Sequence, residues 1–482
     1  MRISAFFLIV PLVFTLNAAA NAQANNLINF QTFSVSTLPA AATPSDIAVA
    51  DFNHDGSPDI ALSERGLNRV AVYLQGSTGF LTPAAATAPA GQSPSTLVAV
   101  TLTPNGPVDD IVAVSGPDGS IYPILNSGVG QPLALNPLAS STYRANFRGI
   151  NPRITAAYFN KNNSYVSFVL ADDQSLRGGL LSALYVGNST FGYRNPVLSP
   201  GGVTPPPCVT VADVDGDAYL DLLTTSPDNN QVSIFYNGGC ATGCWTEQTN
   251  QLLLPSGGTY PVDVQSTDLN LDYRADVVTA NAGSSSFSYS LNLSSRQFST
   301  PVVVALPAAP RRLQIAELNG DNAPDVIMLC ADNTLRLFRN TGLTGLNRFV
   351  LDATLPTGLN PTAMAIADLN NDQQLDIAVA CAGDNTVHVY HNAPRLLSTR
   401  SSKLAGVFVY PNPAMDKLQV ELPAVGHGVT YLTLLDGVGR PVLQQALPVG
   451  QATIPTAALA RGIYTLQLIA SQGTHTQRIV LE

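Results

Sequence analysis

Five stretches of the chain place oxygen-bearing side chains at positions 1, 3, 5 and 9 of a ten-residue window. They are DFNHDGSPDI (51–60), DVDGDAYLDL (213–222), DLNLDYRADV (268–277), ELNGDNAPDV (317–326) and DLNNDQQLDI (368–377). The side chains are Asp51, Asn53, Asp55 and Asp59; Asp213, Asp215, Asp217 and Asp221; Asp268, Asn270, Asp272 and Asp276; Glu317, Asn319, Asp321 and Asp325; and Asp368, Asn370, Asp372 and Asp376. A tight turn through the first five positions would aim alternate side chains inward. The carbonyl of position 7 and the carboxylate of position 9 could then close the shell. Hard oxygen ligands with several negative charges suit Ca2+, whereas Mg2+ wants fewer carboxylates and more water. Zn2+ would want His or Cys. The windows hold 16 of the chain's 33 acidic residues, and like charges packed this closely repel unless a cation sits among them. Up to five Ca2+ ions are therefore expected. An EF-hand is excluded, because its bidentate Glu at position 12 is replaced by Leu62, Thr224, Thr279, Met328 or Val379. The competing reading is that Asp and Asn only make side-chain turns between strands; five copies in register favour the ion.

These windows sit inside a longer recurring unit: apolar strand, acidic loop, apolar strand, turn, alternating strand ending in an amide. The alternating strands end at Gln75, Asn126, Asn188, Asn237, Asn292, Asn340 and Asn392, at spacings of 51, 62, 49, 55, 48 and 52. Two eroded copies of the loop, LTPNGPVDDI (102–111) and YFNKNNSYVS (158–167), lack the carboxylates and are expected to bind nothing. Seven units of about 50 residues with about four short strands each predict an all-β chain with a seven-bladed β-propeller. Each small sheet buries its faces only against its neighbours. Most units end in an aromatic expected on a fourth strand: Phe80, Phe191, Trp245, Phe298 and Phe349. The seventh has none, while an unpartnered strand, INFQTFSVS (28–36), precedes the first unit. We expect that strand to complete the last blade.

The repeat resembles the FG-GAP/VCBS family of Ca2+-loop repeats, also seen in the propeller head of integrin α chains, over about residues 28–392. The resemblance implies a propeller with Ca2+ in its loops and leaves the ligand unnamed. The second and third repeats depart from the pattern by lacking loop ligands. The loop-closing glycine is also absent after Asp217, Asp272, Asp321 and Asp372, which should weaken those sites.

Both ends carry sorting features. Residues 1–24 combine Arg2, a 12-residue apolar stretch from Ala5 to Leu16, too short to span a bilayer, and small-x-small sites at 20–24. This is the pattern of a signal peptide. No later run is apolar enough to cross a membrane, so no transmembrane segment is expected. After a polar, basic linker (393–406), residues 407–482 show short strands separated by Pro411-Asn412-Pro413, Asp436-Gly437 and Arg461-Gly462 turns. They predict a small Ig-like β-sandwich. The YPNP segment, the Asp-Gly-x-Gly-Arg turn (436–440) and Arg-Gly-Ile-Tyr resemble the type A sorting domain of the type IX secretion system of Bacteroidota; Met415 is a departure. The resemblance implies type IX machinery as a partner and a secreted or outer-membrane surface-attached product.

Composition narrows the function. Only 12% of residues are charged, 45% are hydrophobic, and the net charge is −10. The chain is therefore not mainly disordered. It also lacks the cationic footprint of a nucleic-acid binder. Export permits disulfides. Cys240 and Cys244 flank a three-residue loop short enough to close on itself, Cys330 and Cys381 occupy equivalent positions in successive repeats and could face each other across neighbouring sheets, and the odd count leaves at least one thiol, such as Cys208, unpaired or paired between chains. No nucleophile elbow, HExxH or phosphate-cradling loop is present. His54, His388, His391, His427 and His475 have no evident catalytic partner and are expected at surface or strand positions. The sequence thus predicts a non-catalytic, Ca2+-binding propeller that holds an extracellular glycan or protein. The alternative is a secreted polysaccharide hydrolase or lyase on the same scaffold.

Overall fold

The apolar segment after each acidic window becomes a strand buried on both sides. In the computed structural model every residue of Asp59–Glu64, Asp110–Ser115, Asp221–Ser226, Asp276–Asn281, Asp325–Cys330 and Asp376–Cys381 is buried. The residues described are 28, 30–75, 84–102, 109–117, 119–126, 133–137, 143–144, 153–157, 167–171, 180–186, 190–198, 207–237, 251–294, 296–345, 348–392, 407–422, 430–435, 441–447, 451–457, 459–470 and 473–482. The signal-peptide segment 1–24, the linker 393–406 and the Cys240–Cys244 loop lie outside them. The chain divides into two compact units, Met1–Ala393 and Pro394–Glu482. Among the described residues there is no α-helix.

The first unit is a succession of small antiparallel sheets. Their first strands are Pro44–Ala50, Pro94–Val100, Arg153–Ala157, Val209–Ala212, Pro261–Thr267, Pro310–Ala316 and Pro361–Ala367. In six of these seven sheets all strands come from one stretch of chain. The seventh takes its fourth strand from far upstream: Phe30–Thr37 pairs antiparallel with Thr386–Asn392, from Phe30 opposite Asn392 to Thr37 opposite Thr386. The unpartnered N-terminal strand thus finds the partner that the repeat pattern left open for it.

Alternation along the second strands explains how the sheets join. Ile60 and Leu62 pack with Ala378 and Ala380 of the seventh sheet, while Ala61 packs with Ile111 and Ala113 of the second. Equivalent cores lie between each pair of successive sheets. Each buried Ile or Leu side chain contributes about 1.5–3 kcal/mol. Hydrogen bonds reinforce the joints. Ser45 Oγ donates to the Pro94 carbonyl (2.8 Å), and Thr362 Oγ1 donates to the Pro44 carbonyl (2.9 Å), linking the seventh sheet to the first. At the hairpin turns, Asn385 Oδ1 accepts from Thr43 N–H (2.7 Å), as Asn230 Oδ1 does from Tyr260 N–H and Asn333 Oδ1 from Asn360 N–H (both 2.9 Å).

Two sequence expectations are corrected. Cys330 and Cys381 are free, as is Cys208. Equivalent positions in successive repeats point the same way: Cys330 sits in the core between the fifth and sixth sheets, and Cys381 in that between the sixth and seventh. A whole sheet separates them. Phe298 does not belong to a fourth strand. It closes an extra two-stranded hairpin, Asn292–Ser294 with Gln297–Phe298, and the fourth strand of the fifth sheet is Val302–Ala305. Phe349 does open the fourth strand of its sheet, Phe349–Pro356.

The second unit has a three-stranded sheet (Phe408–Tyr410, Lys417–Glu421, Gln451–Pro455) and a four-stranded sheet (Pro441–Leu447, Thr430–Leu435, Gly462–Ala470, Gly473–Leu481). Val409, Leu418, Val420 and Ile454 of the first share one core with Leu432, Leu434, Leu466, Leu468 and Ile479 of the second. Asn412 of the YPNP motif stitches the chain to the last strand: its Nδ2 donates to the Arg478 carbonyl (2.8 Å) and its Oδ1 accepts from Val480 N–H (2.9 Å). Arg461 Nη1 donates to the Met415 carbonyl (2.6 Å), and the Met415 side chain is exposed.

Candidate metal centres

The ninth position of each acidic window is the first residue of a second strand, and its carboxylate is fully buried. Asp59, Asp221, Asp276, Asp325 and Asp376 each accept two backbone hydrogen bonds in the same pattern. One oxygen accepts from the N–H of loop position 2, at Phe52, Val214, Leu269, Leu318 or Leu369 (2.8–3.1 Å). The other accepts from the N–H of the amide residue ending the third strand, at Gln75, Asn237, Asn292, Asn340 or Asn392 (2.7–2.9 Å). Position 2 is apolar and buried in all five loops, so the loop is pinned by a side chain as well as by the Asp. Burial pushes the position-9 carboxyls up, helped by neighbouring carboxylates and opposed by these N–H groups. Asp59, Asp221, Asp325 and Asp376 rise to about 7 and Asp276 to about 6.

The terminal amides that set the repeat register also tie one sheet to the previous loop. Asn126, Asn292, Asn340 and Asn392 donate through Nδ2 to the carbonyls of Phe52, Val214, Leu269 and Leu318 (2.6–2.8 Å). The sequence displayed these amides as a periodic mark without revealing their acceptors. Gln75 stands at the equivalent place after the seventh loop, and its buried Nε2 has no hydrogen-bond partner among the described residues.

Positions 1, 3 and 5 form the mouth of each loop. Asp51, Asp268 and Asp368 accept N–H groups of residues four and five further on (2.6–3.1 Å), and Glu317 accepts from Asn319, Gly320 and Asp321 (2.6–3.1 Å). In the fourth loop Asp213 accepts from Gly216 and Ala218 (both 2.8 Å). At position 5, Asp55, Asp217, Asp272, Asp321 and Asp372 each accept from the N–H two residues on (2.8–3.0 Å). The backbone turns left-handed at positions 4 and 6 in every loop, even at Ala218, Tyr273, Asn322 and Gln373. The missing glycines therefore leave the loop path unchanged and cost about 1–2 kcal/mol each.

The loops differ in how well they are prepared for a cation. In the fourth, carboxylate oxygens of Asp213, Asp215 and Asp221 lie within 4.8 Å of one another, the only such group among the described residues. In the fifth, Asn270 Oδ1 is buried with no donor among the described residues, while its Nδ2 donates to Asp272 (3.0 Å). Both features fit a hard cation that takes oxygen ligands. In the first, sixth and seventh loops the position-3 amide is engaged on both sides. Asn53, Asn319 and Asn370 accept from the N–H of Asp55, Asp321 and Asp372 (2.9–3.1 Å) and donate to the same residues' carboxylates (2.8–3.2 Å).

Sequence reasoning missed several charged neighbours. Arg274 pairs with Asp272 and donates from Nε to the Asn292 carbonyl (2.7 Å). Arg296 reaches Asp215 across repeats. His391, expected as an ordinary surface or strand residue, is buried beside the seventh loop, with Nδ1 2.6 Å from Asn370 Nδ2 and 3.3 Å from Asp376 Oδ2. Burial lowers its pKa, against the pull of Asp372 and Asp368. Glu64, an acid without counterpart in other repeats, is fully buried and bound to Arg69 and Tyr73 (both 2.5 Å). Of the eroded loops, 158–166 lies outside the described residues. The other is one residue longer than its sequence window. Leu102 takes position 2, and its N–H donates to Asp110, as does that of Asn126 (both 2.8 Å).

Comparisons agree with this architecture. The chain is similar to propeller-like solved structures. Two are crystal structures of BBS1N in complex with ARL6DN, one soaked with mercury (12% identity, TM-score 0.50) and one soaked with lead (10% identity, TM-score 0.50). Each match covers 76% of this chain and 98% of the other. At such identity the likeness shows fold alone. No curated protein matches the chain. No helix among the described residues is long and apolar enough to cross a membrane. Residues 317–379, which contain the acidic loop of the sixth repeat, match an FG-GAP-like repeat, and residues 408–482 match a secretion system C-terminal sorting domain, which points to the type IX machinery and indicates a secreted or outer-membrane surface protein.

Proposed function

We propose that the first unit is a seven-bladed β-propeller whose five acidic loops hold Ca2+ and which, without catalysing a reaction, binds a glycan or protein ligand outside the cell. On this reading residues 1–24 are a signal peptide, 28–392 the propeller, 393–406 the linker, and 407–482 an immunoglobulin-like sorting module that engages the type IX machinery. The observation that carries the reading is the common frame of the five loops. Each buries one carboxylate on the same two N–H groups and carries three more oxygen-bearing side chains in the turn before it. Burying that one carboxylate beside two or more others is costly unless a cation offsets it. A rigid frame with variable loops at one end of each sheet is suited to recognition.

The test is a glycan array and a pull-down from surface extracts with the full chain, in Ca2+ and in EDTA, followed by assays for release of reducing ends or unsaturated products from every glycan bound. Calcium-dependent binding without turnover is expected. Turnover abolished by one point substitution outside the acidic loops would replace this reading with the polysaccharide-degrading one.

A further inference from the structure

The fourth loop differs from the other four in two respects. It is the only one with a carboxylate at position 3, so it carries four acids where the others carry three. It also has a cation supplied from the next repeat. Arg296 stands at the turn of the extra hairpin Asn292–Phe298, and its Nη2 and Nε lie 2.9 and 3.2 Å from Asp215 Oδ2. The guanidinium carbon is 4.1 Å from the centroid of the buried Tyr236 ring, a geometry that holds a cation by the ring's negative face. Arg296 is in left-handed backbone conformation (φ 67°), which a side-chain-bearing residue adopts at a cost.

The root of this hairpin joins two loops. Asn292 Nδ2 donates to the Val214 carbonyl in the fourth loop (2.8 Å), and Asn292 N–H donates to Asp276 of the fifth (2.7 Å). Asn292's own carbonyl accepts from Arg274 Nε (2.7 Å). The hairpin is the only two-stranded sheet among the described residues.

We infer that Arg296 is the resident counter-ion of the fourth loop, and that a divalent cation entering the loop displaces the guanidinium from Asp215 and loosens the hairpin 292–298. The inference rests on the metal reading of the acidic loops and deepens it. Asp215 faces two cations that compete for one carboxylate: a tethered charge of +1 and a free charge of +2. While the arginine is in place it offsets the extra acid, so the loop is stable without metal. When the metal binds, the two cations repel across Asp215, and the guanidinium's hold on Oδ2 weakens. By linkage the arginine weakens the metal as much as the metal weakens the arginine. Metal occupancy of this one loop is thereby coupled to the order of a surface hairpin.

The experiment is a calorimetric Ca2+ titration of the metal-stripped full chain, with hydrogen exchange of the peptide covering 292–299 in Ca2+ and in EDTA. Arg296→Gln should bind Ca2+ about tenfold more tightly at one site, leaving the others unchanged. Arg296→Lys, which keeps the charge but not the fork lying over Tyr236, should fall between the native chain and Arg296→Gln. In the native chain Ca2+ should speed exchange across the hairpin, and in Arg296→Gln it should not. Failure of the native chain to bind Ca2+ at all would remove the metal reading and this inference with it. Calcium binding with superimposable native and Arg296→Gln curves would overturn the counter-ion role alone. If Arg296→Gln does not fold, native exchange decides: faster with Ca2+ supports the role, unchanged or slower overturns it.

Discussion

The seventh loop and the eroded second loop form a natural controlled pair. Both end in a buried Asp, Asp376 or Asp110, that accepts the N–H of position 2 and the N–H of the terminal Asn. In both repeats the terminal Asn donates back to the preceding loop, Asn392 to Leu318 and Asn126 to Phe52. Only the seventh keeps carboxylates at positions 1 and 5, Asp368 and Asp372, where the second has Thr101 and Asn105. The difference separates two duties that the sequence pattern fuses. Position 9 holds the fold together whether or not an ion is present; positions 1, 3 and 5 are free to vary once an ion is not needed.

The widest test of that separation is calcium removal. Thermal melting in EDTA should fall well below melting in Ca2+, because each site loaded at a hundredfold excess over its Kd adds about 2.7 kcal/mol. Identical curves would reduce every loop to the condition of the second. Next come the paired substitutions. Asp376→Ala and Asp110→Ala each orphan two buried N–H groups, at about 1–3 kcal/mol apiece. In urea unfolding, the loss at Asp376 should be greater in Ca2+ than in EDTA, whereas the loss at Asp110 should be the same in both. A calcium-sensitive Asp110→Ala would mean that the eroded loop still binds an ion.

A third test uses a buried acid remote from any loop. Burial raises Asp263 to about 6, opposed by the Leu313 N–H and by Arg153. The folded chain keeps this proton where the unfolded chain, with its carboxyl near 3.8, has lost it. The resulting stabilisation is complete below about pH 4 and is lost as pH rises through 6, on the order of 3 kcal/mol. Asp263→Asn should flatten that portion of the stability profile equally with and without Ca2+; an unchanged profile would remove the assignment. The smallest effect is expected at the one terminal amide that is not Asn. Gln75→Asn should let the side chain reach the Leu369 carbonyl as its counterparts reach theirs, adding about 1 kcal/mol. No gain in melting temperature would show that the amide contributes register and little energy.

Much of this was readable in the chain because repetition multiplies a weak signal. A single Asp-x-Asn-x-Asp could be a turn, but seven terminal amides at near-constant spacing define the strands around it. The upstream strand was legible because the seventh unit lacked a partner that the others have. What the sequence could not show were contacts between repeats. Nothing about Arg296 marks it as a neighbour of Asp215, 81 residues away, because the pairing depends on a hairpin that, among the described residues, occurs in one repeat only. Cys330 and Cys381 misled for the opposite reason: periodic position implies parallel orientation, and that keeps thiols apart. His391 looked like an ordinary strand residue because its burial comes from the loop folded over it. In the tail, the YPNP segment was recognisable, but its reason, the bonds of Asn412 to the final strand, required coordinates.

Pairing of Phe30–Thr37 with Thr386–Asn392 has a consequence for the order of assembly. A nascent chain that has not yet produced Thr386 carries an early strand without its mate, and closing a segment of that length is slow compared with making local hairpins. The export address at 408–482 is synthesised only after that mate. Any product cut short before the last sheet is complete therefore also lacks the means to be shipped, so the linear arrangement of the gene itself withholds unfinished molecules from the cell surface.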